Sequence, residues 1–270
     1  MLAPEGHLQV QRAWKTLCGQ GSDLFQRFMR SLAIETNHVE STFLVTVGSS
    51  QDLVRSGIVA NLIVTNAQSE VKDPTVIKSI LNDTLGAYEL LRPLVQDLTK
   101  LSPEAICEVH RRLLDTARFR GRQYIPTGVM RTATRKSVYI HGGPKDWIQC
   151  CPPSKVDDEM FYICETAQKY IREARMDPFA LAAWLHLVLV RCHPFNDGNG
   201  RTARLISSIP LIKHGYPPIS IPYDDRGEYL KAIDRAYKND FQPLATCFLK
   251  GMQTALNAAR KRASESDRVR

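Results

Sequence analysis

The sequence predicts an all-α fold that carries one short β-hairpin, and three observations lead to this prediction. Apolar residues recur at helical spacing in most of the chain, most strongly in the run 179–190. Helix start signals occur at Asp73-Pro74 and at Ser102-Pro103, where a capping side chain precedes a proline. The stretch 127–143 instead alternates apolar and polar residues around a polar tip, as a hairpin does.

The chain divides into three parts by its patterning. Residues 1–53 are predicted to form two amphipathic helices, with Asp23 as a candidate cap of the second, followed by a short β-like run and a polar turn at 43–52. Residues 54–258 are expected to form a helical core. The basic segment 259–270 lacks the apolar residues needed to fold, so we expect a disordered tail.

The central element of the core runs from the apolar helix at 179–190 through His193 to a second buried helix. Pro194 removes a backbone donor and disfavours helical geometry at His193, so the first helix should end there. We expect the second helix to begin near Arg201 and to break or bend at Pro210. The glycine-containing loop between them therefore lies at a helix N-terminus, where free N–H groups attract an anion.

The polar residues around this loop fit a phosphate ligand. Arg201 and Arg204, three apart on one helical face, offer planar charge-assisted donors to phosphate oxygens. Asp197 offers one hard oxygen ligand, and magnesium takes one or two protein carboxylates together with phosphates and water. A neutral His193 can accept a hydroxyl proton as general base. The string predicts a site for transfer of a nucleotide phosphate.

Other interpretations of the loop fit less well. Asp197-Gly198 and Asn199-Gly200 are also typical of a two-residue β-turn, but both flanks have helical rather than alternating spacing. The string is not a Walker loop, because no Gly-Lys-Ser/Thr follows. It is not a dinucleotide fingerprint either, because the third glycine is missing.

The string His193-Pro-Phe-Asn-Asp-Gly-Asn-Gly-Arg-Thr-Ala-Arg204 resembles the signature of the Fic (filamentation induced by cAMP) domain family at every defining position. The resemblance implies a Fic-type helical bundle with a hairpin flap. It also implies a protein adenylyltransferase that moves AMP from ATP to a Ser, Thr or Tyr hydroxyl of a target protein, with Mg²⁺. By this resemblance His193 is the general base and Asp197 binds the metal. The implied phosphate-binding residues are Gly198, Asn199, Gly200, Arg201 and Arg204.

The segment 36–41 resembles the inhibitory motif of this family, which is Ser/Thr-x-x-x-Glu followed by Gly or Asn. Here Ser41 follows Glu40 in place of Gly or Asn, which is a departure. The resemblance implies that Glu40 pairs with Arg204 and replaces the contact to the ATP γ-phosphate. The alternative is that Glu40 is a solvated charge at a helix end.

A second register of the inhibitory motif places Ser31, Glu35 and Thr36 in the corresponding positions. It also lacks the small residue after the glutamate, and it fits less well.

The predicted hairpin precedes the motif, where the family places a flap that registers a target by main-chain pairing. Its strands are predicted at 127–132 and 138–143, around the tip 134–137. The candidate target-binding residues are Arg131, Val138, Tyr139 and Ile140. The alternative is an ordinary surface hairpin.

Composition limits the remaining possibilities. With 270 residues, the chain is long enough to bury a large core. Its longest apolar run is too short for a membrane span, the N-terminus lacks a signal-peptide pattern, and seven cysteines without metal-ligand spacing indicate reduced thiols. We therefore expect a cytoplasmic protein. The net charge of +8 suits ATP as well as nucleic acid, and no basic patch with interleaved aromatic residues favours nucleic acid.

Two other functions remain open at this stage. The same site could run hydrolytically as a deAMPylase, with Glu40 orienting water. The chain could also be a catalytically idle nucleotide-binding module, although the intact motif disfavours this. We expect a protein substrate bound along the flap, no nucleic acid and no membrane partner, and a homodimer is left open.

Overall fold

The computed structural model describes residues 3–19, 22–121, 123–141 and 147–266. Over these ranges the chain is 68% helical with two small antiparallel strand pairs, which confirms the predicted fold class. The helices are α1 (His7–Gly19), α2 (Ser22–Val39), α3 (Val47–Ser56), α4 (Pro74–Glu89), α5 (Leu91–Gln96), α6 (Pro103–Leu113), α7 (Arg131–Thr134), α8 (Val156–Glu173), α9 (Pro178–Cys192), α10 (Asn199–Lys213), α11 (Arg226–Tyr237) and α12 (Gln242–Ser266). The strands are β1 (Phe119–Arg120), β2 (Gln123–Tyr124), β3 (Tyr139–His141) and β4 (Trp147–Gln149).

Helix α9 lies at the centre of the main core and packs against α8, α10, α11 and α12. Asp177 caps its first turn, where the carboxylate accepts the N–H of Phe179 at 2.9 Å. The helix ends at Cys192, as Pro194 predicts. Of the break or bend expected at Pro210, the break does not occur, because α10 continues to Lys213. Packing of α10 on α9 offsets the backbone hydrogen bond that the proline removes.

Helix α2 lies between two apolar cores. Its Phe28, Leu32 and Val39 belong to the main core. Its Ala33 and Ile34 belong to a smaller core that α2 forms with α3 and α4. Because the helix is fixed on both sides, its C-terminal end is held over the N-terminus of α10.

The segment 43–52 differs from its prediction. The β-like part forms an isolated bridge between Val45 and Thr65. The predicted polar turn is the start of α3, because the Thr46 side chain accepts the N–H of Ser49 at 3.3 Å and caps the helix. The smaller core contains Leu53 together with residues on both sides of the boundary predicted at residue 53.

Two of the predicted helix starts are confirmed by their caps. Asp73 accepts the N–H of Thr75 at 2.8 Å, at the start of α4. Ser102 accepts the N–H of Ala105 at 3.2 Å, at the start of α6. In both helices a proline follows the cap at the first position, where its missing N–H costs nothing.

The strand pairing differs from the predicted hairpin. Residues 131–134 form the short helix α7 instead of a strand. Strand β3 pairs with β4, which follows it in the chain, with Ile140 opposite Ile148. Strands β1 and β2 form a second, separate hairpin that the sequence analysis did not predict. The glycines 142 and 143 of the predicted hairpin lie outside the described residues.

The last helix, α12, extends as far as Ser266, into the segment 259–270. The final four residues of that segment lie outside the described residues. Among the helices that the structure describes, none combines the length and the apolar character needed to cross a bilayer. All seven cysteines are free thiols, as predicted.

Candidate active site

The end of α9 fixes the position and the tautomer of His193. The residue adopts left-handed geometry (φ 52°, ψ 58°), and its N–H donates to the Leu189 carbonyl at 2.8 Å. Its ring Nδ1 lies 3.2 Å from the Val190 carbonyl, which can only accept, so Nδ1 carries the proton and Nε2 holds the lone pair. Burial lowers the pKa of His193 below its ordinary 6.5, so the ring is neutral at pH 7.

Arg131 holds this end of α9 in place through hydrogen bonds to main-chain carbonyls. Its Nε donates to the His193 carbonyl at 2.6 Å and its Nη2 to the carbonyls of Cys151 (2.6 Å) and Cys192 (3.0 Å). Its Nη1 donates to the Lys136 carbonyl at 2.7 Å. The side chain is fully buried and does not line the cleft, so Arg131 can act on the predicted flap only as a supporting residue. Its role is to satisfy carbonyls that the end of α9 leaves without helical partners.

The loop after His193 is closed by the side chain of Asn199. Its Oδ1 accepts the N–H of Phe195 at 2.9 Å and its Nδ2 donates to the Phe195 carbonyl at 2.8 Å. Gly198 caps α10 with φ 75°, and a Cβ at this position would collide with Leu114. Asn199 and Gly200 are therefore the first residues of α10, not part of a separate turn.

His110 of α6 supports the same loop, a role that the sequence analysis did not identify. Its ring is buried and stacked on Phe195, with ring centroids 3.7 Å apart. Its Nδ1 accepts the N–H of Gly128 at 2.8 Å, so its Nε2 donates to the Asp197 carbonyl at 2.9 Å. Burial lowers the pKa of His110 to about 4, which keeps this tautomer neutral. No sequence pattern links His110 to the loop.

Asp197 lies at the floor of the cleft with its carboxylate beside the N-terminus of α10. One oxygen, Oδ1, accepts the N–H of Gly198 at 2.7 Å. Among the described residues, no group of three His, Cys, Asp or Glu side chains converges as a metal cage would. A cation that bound here would take one protein carboxylate, and this ligand count fits magnesium held mainly by phosphates.

The two arginines of the motif are buried against α2. Arg204 donates from Nε to Thr36 Oγ1 (3.1 Å), from Nη2 to the Thr36 carbonyl (3.0 Å) and from Nη1 to Glu40 Oε1 (2.8 Å). Beneath it, the Tyr229 hydroxyl lies 3.3 Å from Nη1. Arg201 donates to Asn37 Oδ1 at 3.2 Å. One helix therefore engages both cations predicted to hold phosphates.

The pair of Glu40 and Arg204 was predicted by resemblance, and the structure contains it. Arg204 is 1% exposed, whereas the Glu40 side chain is 35% exposed and borders the cleft. Burial alone raises the pKa of Glu40, but the charge and hydrogen bond of Arg204 outweigh it, so the pKa of Glu40 lies below its ordinary 4.5. A Cβ on Gly200 would collide with the Glu40 carboxylate, so this close approach requires glycine.

The backbone geometry at Ser41 suits the Gly or Asn with which the family motif ends. The Ser41 N–H donates to the His38 carbonyl (2.9 Å) and the Thr42 N–H to the Asn37 carbonyl (3.0 Å), which is a Schellman motif. The C′ position of this motif needs left-handed geometry, and Ser41 has φ 54°. Serine adopts this conformation at a steric cost that glycine avoids, so the end of α2 is strained in this chain.

Glu35, the glutamate of the alternative register, forms other contacts. The Glu35 carboxylate accepts from the Ser31 hydroxyl at 3.1 Å and from the Ser220 hydroxyl. The structure thus places Glu40, and not Glu35, in the ion pair with Arg204.

A cleft of about 310 Å³ opens above the loop. His193, Asp197 and the start of α10 line its floor together with Glu40. One wall is lined by Val138, Tyr139 and Ile140, at and beside strand β3, and the β3–β4 pair is called the flap from here on. A wall that was not predicted comes from the β1–β2 hairpin, through Gln123, Tyr124 and Ile125. Arg131, Arg201 and Arg204 lie behind these surfaces.

Comparison with known proteins agrees with this geometry. Residues 100–211 match the model of the Fic/DOC family. A protein adenylyltransferase Fic from Nematostella vectensis is 29% identical over 252 residues, which cover 89% of this chain and 48% of that protein. The protein adenylyltransferase fic-1 of Caenorhabditis elegans is 26% identical over 250 residues, covering 93% of this chain and 43% of that protein. The chain thus spans about half the length of the curated relatives it matches.

Solved structures share the fold. A Fic domain-containing signalling protein from Bacteroides thetaiotaomicron superposes with a TM-score of 0.69 at 24% identity, covering 94% of this chain and 96% of that one. Fic-1 of C. elegans superposes with a TM-score of 0.63 at 21% identity, covering 96% of this chain and 73% of that one. Fold and motif together define the class of helical proteins with a Fic/DOC domain. Residues 100–211 of this chain resemble a Fic/DOC domain, and the fold is the one that these solved structures share.

Proposed function

We propose that this chain is a protein adenylyltransferase, which transfers AMP from ATP to a serine, threonine or tyrosine hydroxyl of a target protein. The observation that carries the proposal is that His193, whose Nδ1 is held by the Val190 carbonyl, lines one cleft with the glycine-opened N-terminus of α10. The adenylyltransferase names of the relatives agree with it. A general base beside an anion site is the arrangement that phosphoryl-type transfer requires.

In the proposed step, His193 Nε2 takes the proton of the target hydroxyl. The hydroxyl oxygen forms a bond to the α-phosphorus, the bond to the bridging oxygen of the β-phosphate breaks, and pyrophosphate leaves with that electron pair. The free N–H groups of α10 and the guanidinium groups of Arg201 and Arg204 would neutralise the phosphate charge. The protein therefore contributes a base, charge neutralisation and orientation.

Magnesium fits the residues that are present, with Asp197 as its protein ligand. When bound, it would neutralise phosphate charge and orient the triphosphate. The remaining ligands would be phosphate oxygens and water.

The same proposal includes autoinhibition by α2. Glu40 occupies the guanidinium of Arg204, and Thr36 and Asn37 accept from the two arginines that would otherwise face phosphates. ATP can use both arginines only after α2 shifts or Glu40 turns away. A closed state favoured by a few kcal/mol would keep about 99% of molecules inactive.

The test uses ATP labelled at either the α or the γ phosphate, with the Glu40→Gly protein and a mixture of soluble cell proteins. We expect protein-bound label from α-labelled ATP only. Label from the γ position alone would contradict adenylylation, and absence of label from both would indicate a module without transferase activity.

A second candidate function is removal of AMP from a modified protein. The observation in its favour is that the Glu40 carboxylate borders the cleft within the same floor as His193, where it could orient a water molecule. Incubation of an AMP-modified peptide without ATP separates the two directions, because only the hydrolytic reaction then releases AMP.

A further inference from the structure

The cleft has a second wall in addition to the flap. Gln123, Tyr124 and Ile125 of the β1–β2 hairpin line it together with Val138, Tyr139 and Ile140. Two separate two-stranded sheets therefore border the floor that carries His193. Target binding was predicted for the flap alone, and that prediction gives the β1–β2 hairpin no role.

The strand registers show which edges are available for pairing. The Cys150 N–H donates to the Val138 carbonyl at 3.1 Å, so in antiparallel alternation the main-chain groups of Tyr139 point away from β4. The Ile125 N–H donates to the Arg118 carbonyl at 2.7 Å, and by the same alternation those of Tyr124 point away from β1. Each wall thus presents an outward strand edge at the residue that lines the cleft.

The side chains on this second hairpin are aromatic and exposed. Phe119 and Tyr124 lie directly opposite each other, with ring centroids 5.5 Å apart in an edge-to-face arrangement. They are 62% and 54% exposed. On the flap, Tyr139 and Trp147 are exposed to a similar degree. Of these four, Tyr124 and Tyr139 line the cleft, and exposed aromatic residues at an opening mark a recognition surface, since aromatic side chains dominate interface energetics.

We infer that the β1–β2 hairpin forms the second half of the target-binding site, and that Phe119 and Tyr124 select targets with a large apolar or aromatic side chain close to the modified hydroxyl. This inference rests on the proposed function. The occupant is an extended segment of the target, because the cleft is small and its walls are strand edges. The cleft floor supplies His193 as the base, and the flap fixes the register of the target segment by main-chain pairing. The β1–β2 hairpin contacts the target side chain next to the modified hydroxyl.

The test compares Tyr124→Ala and Phe119→Ala with Tyr162→Ala, all in the Glu40→Gly background. Tyr162 is a matched control, because it is an equally exposed tyrosine on α8, outside the cleft. Each protein is incubated with ATP and soluble cell proteins, and AMP-bearing sites are mapped and quantified by mass spectrometry. The affinity for ATP is measured in parallel by calorimetry.

We expect the target sites that the Glu40→Gly protein adenylylates to be enriched in large apolar residues. These residues should lie within about two positions of the modified hydroxyl, which is the reach of neighbouring side chains on a strand. Tyr124→Ala should lower the occupancy of these sites about tenfold, as truncation of an aromatic interface residue does, with unchanged ATP affinity. Tyr124→Phe should restore the occupancy, and Tyr162→Ala should leave it unchanged.

Equal site occupancy in Tyr124→Ala, Phe119→Ala and Tyr162→Ala would overturn the inference while leaving adenylylation intact. Absence of any AMP-bearing site with the Glu40→Gly protein itself would overturn the proposed function, and this inference with it. A fall in ATP affinity equal to the fall in occupancy would assign Tyr124 to the nucleotide instead and would also overturn the inference.

Discussion

The catalytic loop and the inhibitory contact meet at the start of α10, and they are held in different ways. The loop is fixed by hydrogen bonds between its main chain and the buried side chains of Arg131, His110 and Asn199. Glu40 instead approaches from a helix that ends in a strained residue, and its side chain is one-third exposed at 35%. The difference supports the proposal that a preformed site is closed by a contact that can be released. Mutations in the loop should therefore abolish activity, and mutations in this contact should tune it.

The largest expected effect concerns the base. His193→Ala in the Glu40→Gly background should lower AMP transfer by about 10²–10⁴-fold, because it removes the acceptor of the hydroxyl proton. Initial rates with α-labelled ATP measure this. His214→Ala, a histidine at the far end of α10, is the control and should have no effect. A rate within threefold or so of the parent would exclude His193 as the general base.

The second effect is on stability. Arg131→Leu should lower the free energy of unfolding by about 2–4 kcal/mol, because it leaves several buried carbonyls without donors. Denaturant unfolding with and without the substitution measures this. Arg135→Leu, an exposed arginine in the same segment, should change the free energy of unfolding by about 0.5 kcal/mol or less. Equal effects of the two substitutions would contradict the role given to Arg131.

The third effect is on pH dependence. Burial lowers the pKa of His193, so its neutral form persists below pH 6.5. The transfer rate of the Glu40→Gly protein should be constant near neutral pH and fall about tenfold per unit once the pH drops below this lowered pKa. A pH–rate profile measures it, with His214→Ala giving the same curve. A half-maximal rate above pH 6.5 would contradict a neutral buried base.

The smallest effect concerns Ser41, at the end of the helix that carries Glu40. Ser41→Gly removes the steric cost of left-handed geometry and should stabilise the closed state by about 0.5–1 kcal/mol, which lowers basal transfer twofold to fivefold. Ser41→Ala keeps a Cβ and is the control. The decrease should disappear in the Glu40→Gly background, because the contact between Glu40 and Arg204 is then already absent. A decrease that persists there would show that Ser41 acts elsewhere.

The sequence predicted the parts of the site whose causes are local. Pro194 ends α9, Asp73 and Ser102 cap helices, and glycine at 198 opens the loop through a positive φ. Each of these depends on the residue and its immediate neighbours. The pairing of Glu40 with Arg204 was predicted only through resemblance to a family, because 164 positions separate the partners.

The errors have non-local causes. Arg131 was placed on an exposed strand, but it lies in the short helix α7, where its buried side chain donates to carbonyls at the end of α9. The strand β3 was paired with the segment before it rather than with β4, because strands of two or three residues carry little periodic signal. Helix α10 passes through Pro210 because its packing on α9 outweighs the local preference to break. A single sequence does not show these tertiary requirements.

The central claim is that Glu40 blocks a site that is otherwise ready to transfer AMP. The most direct measurement is the initial rate of protein labelling from α-labelled ATP by the unchanged protein, by Glu40→Gly and by the charge-matched control Glu70→Gly. We predict a rate about 5- to 150-fold higher for Glu40→Gly, the range of typical coupling free energies, and no change for Glu70→Gly. Equal rates for all three proteins would contradict the claim.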